Sequence, residues 1–301
     1  MNPSESKKRQ SSVDGRKNNN EKKKKQTKET DKNGITKEAP EEALSNGTDG
    51  EPLTNGAPSD VEDSSAKLAN GSPPEELSEG VYKGIDLSFR GLTTSSLKWR
   101  KIKRDNLDLD YAILFTRSMA DRLFDMLEEE VEYFSGDLAK VRVFGKWMNI
   151  PRKQGTYGDE GLSYRYSGIL TPARPWPLPL RAIRDLLARV TGHAFNFVLV
   201  NRYENGNDHM GEHKDDEKEL DRSAPIASIT LGQPRDFYFK HQDARGRNKK
   251  FIDKVTIVLE HGSLLMMNYP TNNYWYHALP TRKTVHGTRI NLTFRTLIQK
   301  N

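Results

Sequence analysis

Arg289-Ile290-Asn291-Leu292-Thr293-Phe294-Arg295 alternates polar and apolar side chains without a break. A repeat of two is the period of a β-strand, so Arg289, Asn291, Thr293 and Arg295 share one face and Ile290, Leu292 and Phe294 the other. Two arginines aimed into a core are costly unless each meets an anion. The competing reading leaves that face in solvent, since antiparallel sheets often have one wet side. Working back from this strand, short runs of strand character recur at 195–203, 226–231, 236–240, 255–259, 263–268 and 274–277. Strand after strand with short polar turns argues an all-β sandwich or roll, and we expect a double-stranded β-helix, the jelly-roll core. Asn201 and Tyr203, two apart on the first of these strands, are co-facial by the same alternation.

Against that background the histidines sort themselves. His213-Lys214-Asp215 and the distant His277 supply two imidazoles and a carboxylate, a set that can hold one face of a ferrous ion and leave the other open. His241-Gln242-Asp243 has the same spelling and is a decoy. In a jelly-roll iron site the first two ligands follow the start of the roll and the third arrives near its end. Four expected strands separate Asp215 from His277, but only two separate Asp243 from it. We therefore take His213, Asp215 and His277 as ligands and His241 as a surface residue. An arginine at the base of the same pocket, Arg289 or Arg295, can clamp the far carboxylate of 2-oxoglutarate by a two-pronged hydrogen bond.

Upstream, a short strand at 111–115 precedes a helix. Ser118-Met119-Ala120-Asp121 resembles a capping box, and Leu123, Leu127 and Val131 follow at helical spacing. A second helix is expected over 180–190, with Ile183 and Leu187 on its buried stripe and Gly192 ending it. Between the helices, 141–143 and 147–150 read as a hairpin with Phe144 at its turn. Structure is expected to begin near Leu97, giving a tail over 1–93 and a catalytic domain over 94–301. That domain divides into helices and a recognition hairpin (94–194) and the roll (195–301).

All 26 aromatic residues lie at or beyond Tyr82, so the preceding tail cannot build a core and reads as disordered. Its charge is segregated: residues 1–37 carry twelve Lys/Arg against five Asp/Glu, and 38–81 carry one against eleven. Residues 82–301 hold 35 basic and 26 acidic groups, a net +9 that suggests a polyanionic partner. Lys7-Lys8-Arg9 and Lys22-Lys23-Lys24-Lys25 look like nuclear import signals, so the expected compartment is the nucleus. With no cysteine, disulfides, zinc–thiolate sites and iron–sulfur clusters are excluded. No apolar run approaches membrane-spanning length.

Asn201-Arg202-Tyr203, His213-Lys214-Asp215-Asp216-Glu217, His277 and the strand from Arg289 to Arg295 together resemble the AlkB family of Fe(II)/2-oxoglutarate-dependent nucleic-acid dealkylases. Val143-Phe144-Gly145-Lys146-Trp147, Pro151-Arg152-Lys153-Gln154 and Gly262-Ser263-Leu264-Leu265-Met266-Met267-Asn268 are similar to its branch that repairs double-stranded DNA. The likeness runs from about Trp99 to Leu297. It implies a mainly β enzyme with flanking helices, its jelly roll preceded by an α/β nucleotide-recognition lid. The implied reaction uses Fe(II), 2-oxoglutarate and O2 to demethylate N1-methyladenine and N3-methylcytosine in duplex DNA, with base flipping and release of formaldehyde and succinate.

The resemblance also implies roles. Arg289, helped by Asn201, Tyr203 and Asn291, binds 2-oxoglutarate, and Arg295 buttresses the site beside Asp215. Phe144 wedges into the vacated stack, Tyr166 and the His213 ring sandwich the base, and Tyr164 and Ser167 lie at its edge. Asp216 and Glu217 favour its positive charge. Arg152, Lys153, Arg245, Arg247, Arg282 and Lys283 sit on turns suited to DNA phosphates. The chain is expected to act as a monomer on alkylated double-stranded DNA, without a membrane. Sliding-clamp association needs a basic–aromatic–aliphatic peptide that this tail, lacking aromatics, does not contain. Single-stranded substrates, a catalytically silent nucleic-acid-binding module and a protein hydroxylase are the alternatives left open.

Overall fold

The computed structural model describes residues 81–298 except Phe144, Ser167, Gly168 and Asn248. Its centre is eight strands, the first Phe197–Tyr203 and the last Arg289–Arg295, shared between two antiparallel sheets. In the major sheet Arg289–Arg295 pairs on one side with Phe197–Tyr203 and on the other with Ile226–Gly232, which in turn pairs with Ser263–Met267. The minor sheet runs Met210–His213, Trp275–Leu279, Arg235–His241, Val255–Leu259. Successive strands alternate between the sheets except at the central hairpin of Arg235–His241 and Val255–Leu259, both in the minor sheet, which is the winding of a double-stranded β-helix. Three more strands widen the major sheet: Arg100–Arg104 and Leu107–Ile113 at one edge, Lys153–Gly158 at the other.

Every residue of Arg289–Arg295 is buried, so neither face is wet. The apolar face, with Ile290, Leu292 and Phe294, joins Val198, Val200, Ile229 and Leu231 under the two long helices. The helices present matching stripes. Ala120, Leu123, Met126 and Leu127 are buried on Arg117–Glu130, and Leu180, Ile183, Leu186, Leu187 and Val190 on Leu178–Thr191. The polar face of the same strand therefore looks into the roll. Register fixes who meets whom: Asn201 stands opposite Asn291, Tyr203 opposite Arg289, and Ser228 opposite Thr293.

Several local expectations need correction. The first helix is capped by Thr116, whose side chain accepts from the Met119 N–H, because Thr116 is extended while Ser118 is already helical. Gly192 does end the second helix, at φ 74° in the left-handed region. Leu87 and Phe89 are buried in the helix-side core, so packing begins before Leu97. Of the strands not anticipated from the sequence, three belong to the two main sheets. Arg100–Arg104 is a charged edge, which blunts stray pairing. Met210–His213 is short and holds a glycine. Lys153–Gly158 is interrupted by Gly155 and Gly158, where a Cβ would come within 2.7 Å of the Glu132 carbonyl oxygen and 2.9 Å of the Asn196 carbonyl oxygen.

Candidate active site

The strand Met210–His213 pairs antiparallel with Trp275–Leu279, and the register sets His213 directly opposite His277. Asp215 follows two residues after the first strand ends. The ligand atoms of His213, Asp215 and His277 all lie within 4.8 Å of one another, and the two imidazole centroids are 4.2 Å apart. The Nδ1 of His213 lies 2.9 Å from the Gly211 carbonyl, so a proton there donates to it and the Nε2 lone pair faces Asp215. Burial pushes both histidines below their usual range, His277 to about 3. Two neutral imidazoles and an ionised carboxylate are the donor states a divalent cation requires.

Asp215 keeps its charge because of Arg295. Burial opposes ionisation, yet Arg295, His277 and His213 together hold the carboxyl down at about 2. Arg295 Nη2 donates to Asp215 Oδ2 at 2.9 Å, and both side chains are almost wholly buried.

Arg289, at the other end of the strand, has no such partner. It is 1% exposed, its Nη2 donates to Thr230 Oγ1 at 2.9 Å, and its Nε and Nη1 bond nothing among the described residues. Its guanidinium lies over the Tyr203 ring, 5.2 Å from the centroid, and burial pulls its pKa down to about 10. A cavity lined by Asn201, Tyr203, His213, Asp215, His277, Arg289 and Arg295 joins this guanidinium to the triad. A dicarboxylate fits that donor set: one end for the metal face, the other for two open N–H groups.

Asn201 belongs to the same wall. Its Oδ1 accepts from Arg152 Nε at 2.9 Å and Gln154 Nε2 at 3.0 Å, which leaves its NH2 as the donor toward the cavity. Asn291 lines the pocket too, but its NH2 is committed to Ser228 Oγ and the Ile229 carbonyl. It is a brace for the sheet, not an open contact for a ligand.

Arg152 is the clearest correction. Expected on a phosphate-facing turn, it is buried, bonded to Asn201 and to the His209 carbonyl. The signal was present: Arg152 and Gln154 are two apart, so once 153–158 is known to be a strand both must face inward. Tyr164 is a second correction. It is fully buried against Phe197 and beneath Arg295, with its hydroxyl sealed from solvent. It walls the carboxylate–guanidinium cluster instead of standing open at a base edge. His241 is a third, since it is buried, its ring packs on Trp275 and Tyr274, and its Nδ1 accepts from the Asp243 N–H. It remains a structural group and no ligand.

Asp216 and Glu217 part company. Asp216 is exposed, whereas Glu217 is half-buried and its pKa is raised, first by burial and then by the charge of Asp215. Of the basic turns, Arg282 is paired with Asp236 at 2.7 Å, and Arg245 lies over Tyr276 and near Glu212. Lys153, Arg247 and Lys283 are exposed. Phe144 and Ser167 lie outside the described residues, as does the side chain of Tyr166.

Residues 111–295 match the family described as the 2OG-Fe(II) oxygenase superfamily. The chain is 52% identical over 209 residues to the DNA oxidative demethylase ALKBH2 of Bos taurus, covering 69% of this chain and 75% of that protein. It is 54% identical over 201 residues to the protein of the same name from Mus musculus, covering 66% and 84%. Against the Homo sapiens protein of that name the identity is again 54% over 201 residues, covering 66% and 77%.

Proposed function

This chain belongs to the 2OG-Fe(II) oxygenase superfamily, in its AlkB-type branch, and we propose that it demethylates N1-methyladenine and N3-methylcytosine in double-stranded DNA, flipping the damaged base to reach it. The observation that carries the proposal is the buried Arg289 guanidinium, its open donors facing the cavity that also holds His213, Asp215 and His277. DNA as the substrate is supported by the names of the relatives.

His213, Asp215 and His277 would hold Fe(II), and Arg289, with Tyr203 and the NH2 of Asn201, would hold the distal carboxylate of 2-oxoglutarate. Bound there, the iron and co-substrate would supply the oxidation of an N-methyl carbon by O2, coupled to conversion of 2-oxoglutarate to succinate and carbon dioxide, with the methyl carbon leaving as formaldehyde. The protein's part is placement. Arg295 keeps Asp215 ionised and fixes its carboxylate; Tyr164 and Glu217 close that side against water.

A base stacked in a duplex cannot present its methyl group to a site at the bottom of a roll, and a damaged base that cannot pair costs least to extrude. The hairpin Lys140–Val143 and Lys146–Asn149 supports the flipping reading. It exposes Trp147 and Met148 beside Lys140, Arg142 and Lys146, an apolar tip in a basic setting. Phe144 at its turn is the wedge in this reading, and this hairpin with Ser163–Tyr166 and Ile169–Pro172 forms the recognition lid. Asp216, exposed near the metal carboxylate, favours a cationic base. Lys153, Arg247 and Lys283 serve as phosphate contacts.

The deciding assay is formaldehyde release from a duplex carrying N1-methyladenine, with iron or 2-oxoglutarate omitted in turn. No release with both present would sink the proposal. Phe144→Ala should impair the duplex far more than the same strand unpaired; equal losses would remove the wedge. The basic runs read as nuclear import signals lie outside the described residues. Residues 1–37 fused to a fluorescent reporter should accumulate in nuclei if the compartment is right. Among the described residues no helix is long and apolar enough to cross a membrane.

A further inference from the structure

The strand that delivers the first ligand stops at His213, and residues 214–217 carry no ladder. Asp215 is nevertheless buried at 3% exposure, so its peptide N–H and C=O need partners that water cannot provide. One side chain provides both. Asn272 Oδ1 accepts from the Asp215 N–H at 3.0 Å, and Asn272 Nδ2 donates to the Asp215 carbonyl. A carboxamide is the side chain whose donor and acceptor match the two halves of a peptide unit.

The turn bearing Asn272, Thr271–Tyr274, is anchored in its own right. Thr271 Oγ1 accepts from the Asp108 N–H at 2.8 Å and lies 3.0 Å from the Asp108 carbonyl, which also accepts from the Asn268 N–H at 2.9 Å. The Asn273 carbonyl accepts from Lys214, the residue preceding Asp215, and Lys214 also donates to Gln242 Oε1 at 2.9 Å. The turn then leads directly into Trp275–Leu279, the strand that carries His277. One segment thus holds the third ligand and grips the backbone of the second.

We infer that Asn272 is a positioning residue of the metal centre, clamping the main chain of Asp215 so that its carboxylate meets the ion in the frame set by His277. Arg295 grips the carboxylate end and Asn272 the backbone end; neither alone fixes a side chain that leaves an unladdered loop. The inference rests on reading His213, Asp215 and His277 as a metal centre. The plain alternative is that Asn272 only satisfies two buried peptide groups. Its loss would then cost stability and leave metal binding by the folded protein unchanged.

The full chain, stripped of metal and titrated anaerobically with Co(II), separates these. Calorimetry gives the dissociation constant, and the visible spectrum reports the ligand geometry. Asn272→Ala should weaken Co(II) binding roughly 10- to 100-fold and alter the spectrum, the range seen when a partner that orients a metal ligand is removed. Asn273→Ala, an exposed neighbour that acts here only through its backbone, should match the unaltered chain. Asn272→Asp keeps the shape and the acceptor for the Asp215 N–H but sets an oxygen against the Asp215 carbonyl. Its added negative charge would by itself tighten cation binding, so weaker binding supports the clamp, and it decides alone if the alanine variant does not fold. Unchanged affinity and spectrum in the folded variants, with only a lower melting midpoint, would overturn the inference. If the unaltered chain binds Co(II) no better than Asp215→Ala, the metal-centre reading falls first and takes the clamp with it.

Discussion

Arg289 and Arg295 sit at the two ends of one strand, both sealed from water, and differ in what answers their charge. Around Arg295 the protein supplies its own anion: Asp215 accepts at 2.9 Å and the arginine's pKa is raised despite burial. Around Arg289 it supplies a hydroxyl and an aromatic face but no anion among the described residues, and the pKa falls to about 10. Each guanidinium keeps its Nε and Nη1 unbonded among those residues, so the anion alone separates the two. A buried cation that folding leaves unanswered is unstable until something binds. The first end is built to stay closed, and the second is built to receive a ligand.

The sharpest way to break this contrast is to remove each guanidinium from metal-free protein and measure unfolding. Arg295→Met strands an ionised Asp215, and losing one partner of a buried pair costs about 3–5 kcal/mol. Arg289→Met removes a charge with no partner, so stability should hold or rise. Equal losses at the two positions would erase the distinction. The same Arg289→Met variant should raise KM for 2-oxoglutarate roughly 30- to 1,000-fold, since truncating a buried charge-assisted contact costs about 2–4 kcal/mol. A KM within about threefold of the unaltered chain, below roughly 0.7 kcal/mol, would say that the co-substrate binds elsewhere.

Protons test the closed end. In metal-free protein His277 titrates near 3, depressed by burial and by His213, against an ordinary 6.5. The unfolded chain therefore takes up the proton first as pH falls, and stability present above 6.5 is lost progressively between 6.5 and about 3. Asp215 acts in the same direction but lower, between 3.8 and about 2. Melting midpoints of metal-free protein should fall with acid across the upper window, and His277→Leu should flatten that part of the curve. A curve indifferent to this substitution would mean that His277 is not buried neutral.

The contrast also explains what could be read in advance. The polar alternation of Arg289–Arg295, the His213–Asp215 pair and the helical stripes are local patterns with a fixed period, and the structure keeps them. The strand Lys153–Gly158 hid behind two glycines required by close backbone approach, and with it went the inward direction of Arg152. His241 ends a strand beside a basic loop, and only tertiary packing on Trp275 shows that its ring is buried. The bracket of Asn272 on Asp215 spans 57 residues with no repeat to announce it. Partnerships across the roll are set by winding, which single-sequence periodicity does not encode.

The rim offers the smallest effect and a last test of the comparison. Arg282 and Lys283 are adjacent and exposed, but Arg282 is already paired with Asp236 at 2.7 Å, whereas Lys283 makes no ion pair among the described residues. The logic of the two buried arginines, applied at the surface, makes the unanswered cation the one that meets phosphate. Lys283→Ala should weaken duplex binding uniformly across sequences and reduce the slope of log affinity against log salt by about one. Arg282→Ala should change the slope less, because that guanidinium must first give up its carboxylate. Screened surface pairs contribute little, about 0–1 kcal/mol, so the difference will be modest and best read at low salt. If Arg282→Ala flattens the salt dependence more than Lys283→Ala, pairing within the free protein does not govern which rim charges bind DNA.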